Sequence, residues 1–160
     1  MMAVMSYQGA PLRIPEVSPH GIINLELART TYHATNIYRA WQPNLIDTAN
    51  TNTLLDFVFI LCYGTFLFAS SYLFMGRSEG WMLRLNKWIC AAALIAPLFD
   101  VIENVLMFRT LSGHFSKEVI ASTFIFAAVK FMLAAITLLF LIYSTVSLLI
   151  KKQEKKVSIV

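Results

Sequence analysis

Three long apolar runs decide what this chain can become: Leu54 to Met75, Trp88 to Phe108 and Val119 to Ile150, with polar stretches between them. Each exceeds the ~20 residues that cross ~30 Å of hydrocarbon at ~1.5 Å of rise per residue. Three buried helices of a water-soluble bundle would need polar outer faces at helical spacing. Segments such as Leu138-Leu139-Phe140-Leu141-Ile142 supply none. A mean hydropathy of +0.64 and a hydrophobic share of 58% exceed what a soluble domain carries, and the excess sits in the three runs. The short connections, Gly76 to Lys87 and Arg109 to Glu118, force neighbouring spans to be antiparallel. The expected fold is therefore an all-α membrane protein with three transmembrane helices (54–75, 88–108 and 119–150) in an up-down-up bundle.

Ahead of the bundle the pattern changes. Residues 1–20 are punctuated by Pro11, Pro15 and Pro19 and are expected to be extended. They lack the continuous apolar core of a cleavable signal peptide, so none is expected. From Gly21, the residues Ile23, Leu27, Ala34, Ile37 and Trp41 form one apolar stripe, with Glu26, Arg29, His33, Asn36 and Arg39 largely off it. This predicts an amphipathic helix over 21–42, about five turns long, stopped by Pro43. It is too polar to span. It either lies on the bilayer, with Tyr38 and Trp41 at the headgroups, or folds back to cap the bundle.

The basic residues set an expected orientation. Arg77, Arg84 and Lys87 in the first connection share a side with Lys151, Lys152, Lys155 and Lys156 in the tail at 151–160, whereas the other side has only Arg39, Arg109 and Lys117 near the membrane. The positive-inside rule then makes the tail cytoplasmic and puts the N-terminus and the amphipathic helix outside. All these cations are juxtamembrane and suit anionic lipid headgroups, so the charge balance carries no nucleic-acid signal.

Charged residues within the spans are the informative exceptions, since each is costly in hydrocarbon unless paired or hydrated. In the second span Asp100, Glu103, Asn104 and Met107 share one face through i, i+3, i+4 and i+7 spacing, and Pro97 lies one turn earlier. In the third, Thr123, Lys130, Thr137 and Ser144 recur every seven residues, as do Asp56, Tyr63 and Ser70 in the first. One polar stripe on each helix implies a polar bundle interior. Lys130 lies ~16 Å and Asp100 ~12 Å from the outer end of their spans, so the charges occupy the outer half. Lys130 is expected to contact Asp100 or Glu103, because a lone ammonium at that depth would deprotonate or draw in water. The candidate cluster is Asp56, Asp100, Glu103, Asn104 and Lys130, with His33, Tyr63, Arg109 and His114 as secondary candidates.

The opening Thr53-Leu54-Leu55-Asp56-Phe57-Val58-Phe59-Ile60 with Tyr63, the run Asp100-Val101-Ile102-Glu103-Asn104 and the triplet Val129-Lys130-Phe131 carry a resemblance. Over residues 25–145 the chain resembles a group of small uncharacterised bacterial integral membrane proteins. These share an LDF-like start to the first span and a DxxEN motif in the second. The resemblance implies a bacterial inner membrane and marks Asp56, Asp100, Glu103, Asn104 and Lys130, without implying a substrate.

Functional motifs are otherwise sparse. HExxH, CxxC and phosphate-loop patterns do not occur, and Cys62 and Cys90 fall in different spans, where they read as small packing residues. A metal site would have to be assembled from Asp56, Asp100, Glu103, His33 and His114 across separate segments, with no spacing that selects an ion. Neither a metal nor a cofactor is expected. The leading expectation is a non-enzymatic accessory or interaction subunit that packs against the bilayer and against itself or a larger membrane complex. The alternatives are a small-ligand or proton-exchanging unit using the outer-half cluster, and an intramembrane enzyme with Asp100 and Glu103 as acid and base.

Overall fold

The computed structural model describes residues 1–157 as backbone and residues 1–150 with their side chains. The basic tail expected at 151–160 therefore falls outside the residues whose side chains are described. Among the described residues six α-helices follow one another: α1 (Met2–Gln8), α2 (Ile22–Glu26), α3 (Thr31–Trp41), α4 (Ile46–Met75), α5 (Gly80–Leu111) and α6 (Lys117–Val157), with a 3₁₀ turn over Ala10–Leu12. Among the described residues α4, α5 and α6 are long and apolar enough to cross a membrane. They form the expected helical bundle. Helix α4 reaches beyond its apolar run where its polar first turns, with Ala49, Asn52 and Thr53 buried, pack against α1. Exposed Trp81, Trp88 and Tyr143 ring the end remote from the N-terminus, where amphipathic rings suit a membrane–water boundary.

Helix α5 is the central element, packed along both α4 and α6, whereas α4 and α6 meet only sparsely. Two features set the α4–α5 packing. Pro97 lies inside α5 without ending it, and Gly64 of α4 sits directly against its ring. A Cβ added to Gly64 would come within 2.7 Å of Pro97 Cγ, so only a residue without a side chain permits this approach. Deeper in the bundle Leu67, Ala93 and Leu141, one from each long helix, form a small apolar core.

The N-terminal segment caps the bundle, and two expectations for it are corrected. Residues 1–20 are not wholly extended, because α1 and the 3₁₀ turn occupy much of them. The single helix expected over 21–42 is two helices that break at Leu27–Thr30, and Thr30 caps α3 by accepting the His33 N–H. Ala34, Ile37 and Trp41 are buried as the stripe required, but Ile23 and Leu27 are exposed while Leu25, Glu26 and Ala28 turn inward. The interruption explains this: a helical stripe is continuous only along one unbroken helix. Trp41 is fully buried instead of lying at the headgroups, and its Nε1–H donates to the Leu12 carbonyl and to Ser18 Oγ. With Leu12, Leu25, Ile37, Leu111 and Ile120 it forms the larger apolar core, between the cap and the bundle end.

Candidate functional site

The expected cluster assembles on Lys130. Its helix, α6, turns Thr123, Lys130, Thr137 and Ser144 inward, and all four are buried. Asp100, Glu103, Asn104 and Met107 of α5 are likewise buried on the facing side, as their shared helical face requires. Lys130 Nζ donates to Asp100 Oδ1 at 2.6 Å and lies 2.6 Å from Glu103 Oε2. The ammonium thus touches both expected partners. The Glu103 contact is electrostatic in character, since neither of its fully buried oxygens accepts a well-directed hydrogen bond.

Helix α4 completes two further links. Tyr63 OH donates to Asp100 Oδ2 at 2.8 Å, and Asn104 Nδ2 donates to Asp56 Oδ2 at 2.8 Å. Asp100 is therefore held between an ammonium and a phenol. The interior hydroxyl two turns beyond Tyr63 on α4 is Ser71, fully buried, and not the half-exposed Ser70 of the expected stripe. Seven-residue spacing drifts around a straight helix, which moves the inward position by one residue after two turns.

The residue that the helical pattern missed is Glu26. Its side chain is only 9% exposed, and Oε2 stands 3.6 Å from Lys130 Nζ. Burial raises the Glu26 carboxyl above its usual pKa, with the nearby Lys130 ammonium opposing that shift. Periodicity placed Glu26 on the outer face of a continuous helix. The available signal was Gly21, which takes φ +63 at the start of α2 and re-aims the short helix that follows. Three carboxyl groups (Glu26, Asp100 and Glu103) thus surround one ammonium, and a fourth, Asp56, is tied to the same face of α5 through Asn104.

The secondary candidates divide. Tyr63 belongs to the cluster, whereas His33, Arg109 and His114 are exposed away from it. Arg109 and His114 line a separate shallow depression at the α5–α6 connection. Cys62 is exposed on α4 and Cys90 is buried in α5, and both are free thiols. Among the described residues no group of three or more His, Cys, Asp or Glu side chains is disposed to hold a metal ion. The Lys130 ammonium stands at the point where the carboxylates converge.

The cluster is not sealed. Glu26, Asp56, Asp100 and Lys130 line a partly open cavity of about 340 Å³ between the cap and the bundle, within the ~300–1,000 Å³ usual for small-ligand sites. Its other walls come from α1, the segment preceding α2, and Phe59 and Phe131 of α4 and α6. The cap is tied down beside it: Asn52 Nδ2 donates to the Met5 carbonyl and to Gln8 Oε1, and Gln8 Nε2 donates to the Thr48 carbonyl. The arrangement can hold a cation, exchange a proton or fix the packing of three helices. No family model, curated protein or solved structure matches this chain.

Proposed function

We propose that this protein is a small membrane-embedded binding unit that works through the cavity beside Lys130. One observation carries the reading: Glu26, Asp56, Asp100 and Lys130 share the wall of a cavity instead of being closed off inside the bundle. A purely structural ion pair gains from exclusion of water, because its attraction is strongest in a dry interior. A cluster left beside open space is suited to exchange with something that enters. The charge bias of the loops supports a cap, and a cavity, on the outer face of a bacterial inner membrane.

Access is the test. In a background with Cys62→Ser and Cys90→Ser, an Asp56→Cys thiol should react with a small charged thiol reagent in the intact membrane, and Leu67→Cys in the apolar core should not. An Asp56→Cys thiol as inert as that at position 67 would sink the binding reading.

The reading of an accessory or interaction subunit keeps one supporting observation. Large apolar side chains such as Leu61, Trp88 and Leu139 cover the outer faces of α4, α5 and α6, surfaces that suit lipid and partner helices alike. A strictly monomeric particle on native electrophoresis in several mild detergents would count against self-association or a larger complex.

A further inference from the structure

The chemistry of the cavity restricts what it can hold. Carboxyl groups outnumber ammonium groups in the cluster, and the one ammonium is already engaged by Asp100 and Glu103. An anion entering the cavity would find Arg13 at the wall, but at Glu26 and Asp56 it would meet carboxyl groups whose neighbouring ammonium is already engaged. A cation would meet acceptors with spare capacity. Among the described residues Glu26 accepts no well-directed hydrogen bond, and its side chain, more than nine-tenths buried, lines the cavity and faces Glu103 and, at 3.6 Å, Lys130. Asp56 has one oxygen bound by Asn104 and the other available.

Much of the remaining wall is apolar, with Ser6, Arg13, His20 and Asn52 as its other polar members. Met2 and Met5 of α1 and Ile23 of α2 lie above the carboxylates, and Phe59 and Phe131 flank them where α4 and α6 stand apart. Methionine and phenylalanine give an adaptable, polarizable surface suited to an aliphatic chain. The flanking pair lies on helices that face the membrane interior, and Phe131 is 45% exposed. A guest could therefore leave its head on the carboxylates and its chain along the α4–α6 gap. An ammonium fits the head position, since its donors match separate carboxylate oxygens of Glu26 and Asp56.

We propose that this cavity binds the primary ammonium head of an amphiphile, with Glu26 and Asp56 receiving the charge and the Phe59–Phe131 cleft receiving the apolar chain. The assignment rests on the binding reading above and adds the class of ligand. Arg13, at the cavity wall with its guanidinium donating to Ser6 Oγ, lies where a phosphate next to such an ammonium would be met. The same chemistry is available from a simple alkylamine or from an aminophospholipid head.

The full-length protein in an uncharged maltoside detergent should be titrated with octylamine, octanoate, octanol and ethylamine, following thermal unfolding. Saturable stabilisation by octylamine is expected, with ethylamine and octanoate much weaker. Asp56→Asn and Glu26→Gln should each weaken octylamine by about tenfold or more, and the exposed control Glu16→Gln should not. Equal saturable stabilisation by octanol or octanoate, lost in Asp56→Asn, would overturn the ammonium assignment and leave the binding reading standing. No saturable stabilisation by any probe, together with an inert Asp56→Cys thiol, would remove both. If a variant fails to fold, competition of octylamine against a photoreactive alkylamine on the unmodified protein supplies the same decision, and labelling outside the cavity walls overturns the proposal. Nanodiscs separate the sources. Competition of octylamine by phosphatidylethanolamine but not by phosphatidylcholine supports a lipid head, and competition by neither supports a free amine.

Discussion

The two ends of the bundle are held together by different chemistry. At the capped end Lys130, Asp100, Glu103 and Glu26 join α6, α5 and α2, and Tyr63 and Asn104 carry the network to α4. At the far end the hydroxyls turn back on their own helix: Thr137 donates to the Leu133 carbonyl and Thr145 to that of Leu141. Among the described residues a cross-helix polar tie there is Asn86. In the amide orientation that satisfies its neighbours, it donates to the Ser71 carbonyl and accepts the Met75 N–H, closing the last turn of α4. A hydroxyl can satisfy itself on a carbonyl one turn away, whereas an ammonium cannot, so charge forces contacts between helices and hydroxyls do not. The capped end is specified by pairing and the far end by shape.

Substitution should expose that contrast most strongly at Lys130. Lys130→Met strands carboxylates in a buried site and should destabilise the protein by about 3–5 kcal/mol, measured by denaturant unfolding in detergent. Adding Asp100→Asn or Glu103→Gln should recover part of the loss, and the larger recovery identifies the stronger partner. Strictly additive losses with both would break the comparison, since the cluster would then not act as a unit.

Shape should matter next. Gly64→Leu pushes a side chain into the Pro97 ring and should cost about 1–3 kcal/mol, with no change in the response to octylamine. A Gly64→Leu protein of unaltered stability would mean that α4 and α5 do not depend on this close approach. At the smallest scale, Thr137→Val removes only a bond within α6, and a loss of about 0.6 kcal/mol or less is expected. A loss comparable with that of Lys130→Met would erase the distinction between the two ends.

Glu26 gives a pH-dependent version of the comparison. Its folded pKa lies above its unfolded value, so its favourable contribution is fully present below the unfolded pKa and is lost as pH rises through the folded one. Lys130 of α6 and Asp100 and Glu103 of α5 face it, and all three remain in Glu26→Gln. The melting temperature of Glu26→Gln should therefore gain on the unmodified protein as pH rises. A difference that is flat with pH would show that Glu26 keeps its charge in the fold without penalty.

The sequence by itself determined the three spans, because apolar length measured against bilayer thickness leaves few alternatives. It also determined the inward faces of α5 and α6, where Asp100, Glu103 and Asn104, and Thr123, Lys130, Thr137 and Ser144, recur at helical spacing on uninterrupted helices. Even the Lys130 pairing was legible, since an ammonium at that depth requires a carboxylate and Asp100 and Glu103 were the nearest in register. Only the tertiary structure decided the rest. The break at Leu27–Thr30 turned Glu26 inward, and a pattern read along one continuous helix cannot register a change of direction within it. Trp41 left the headgroup position because the Leu12 carbonyl and Ser18, more than twenty residues earlier in the chain, offered its N–H a buried partner. The cavity likewise depends on how α1 and α2 rest across the gap between α4 and α6. Periodicity reports which face of a helix turns inward, but the space between non-adjacent elements exists only once they are packed.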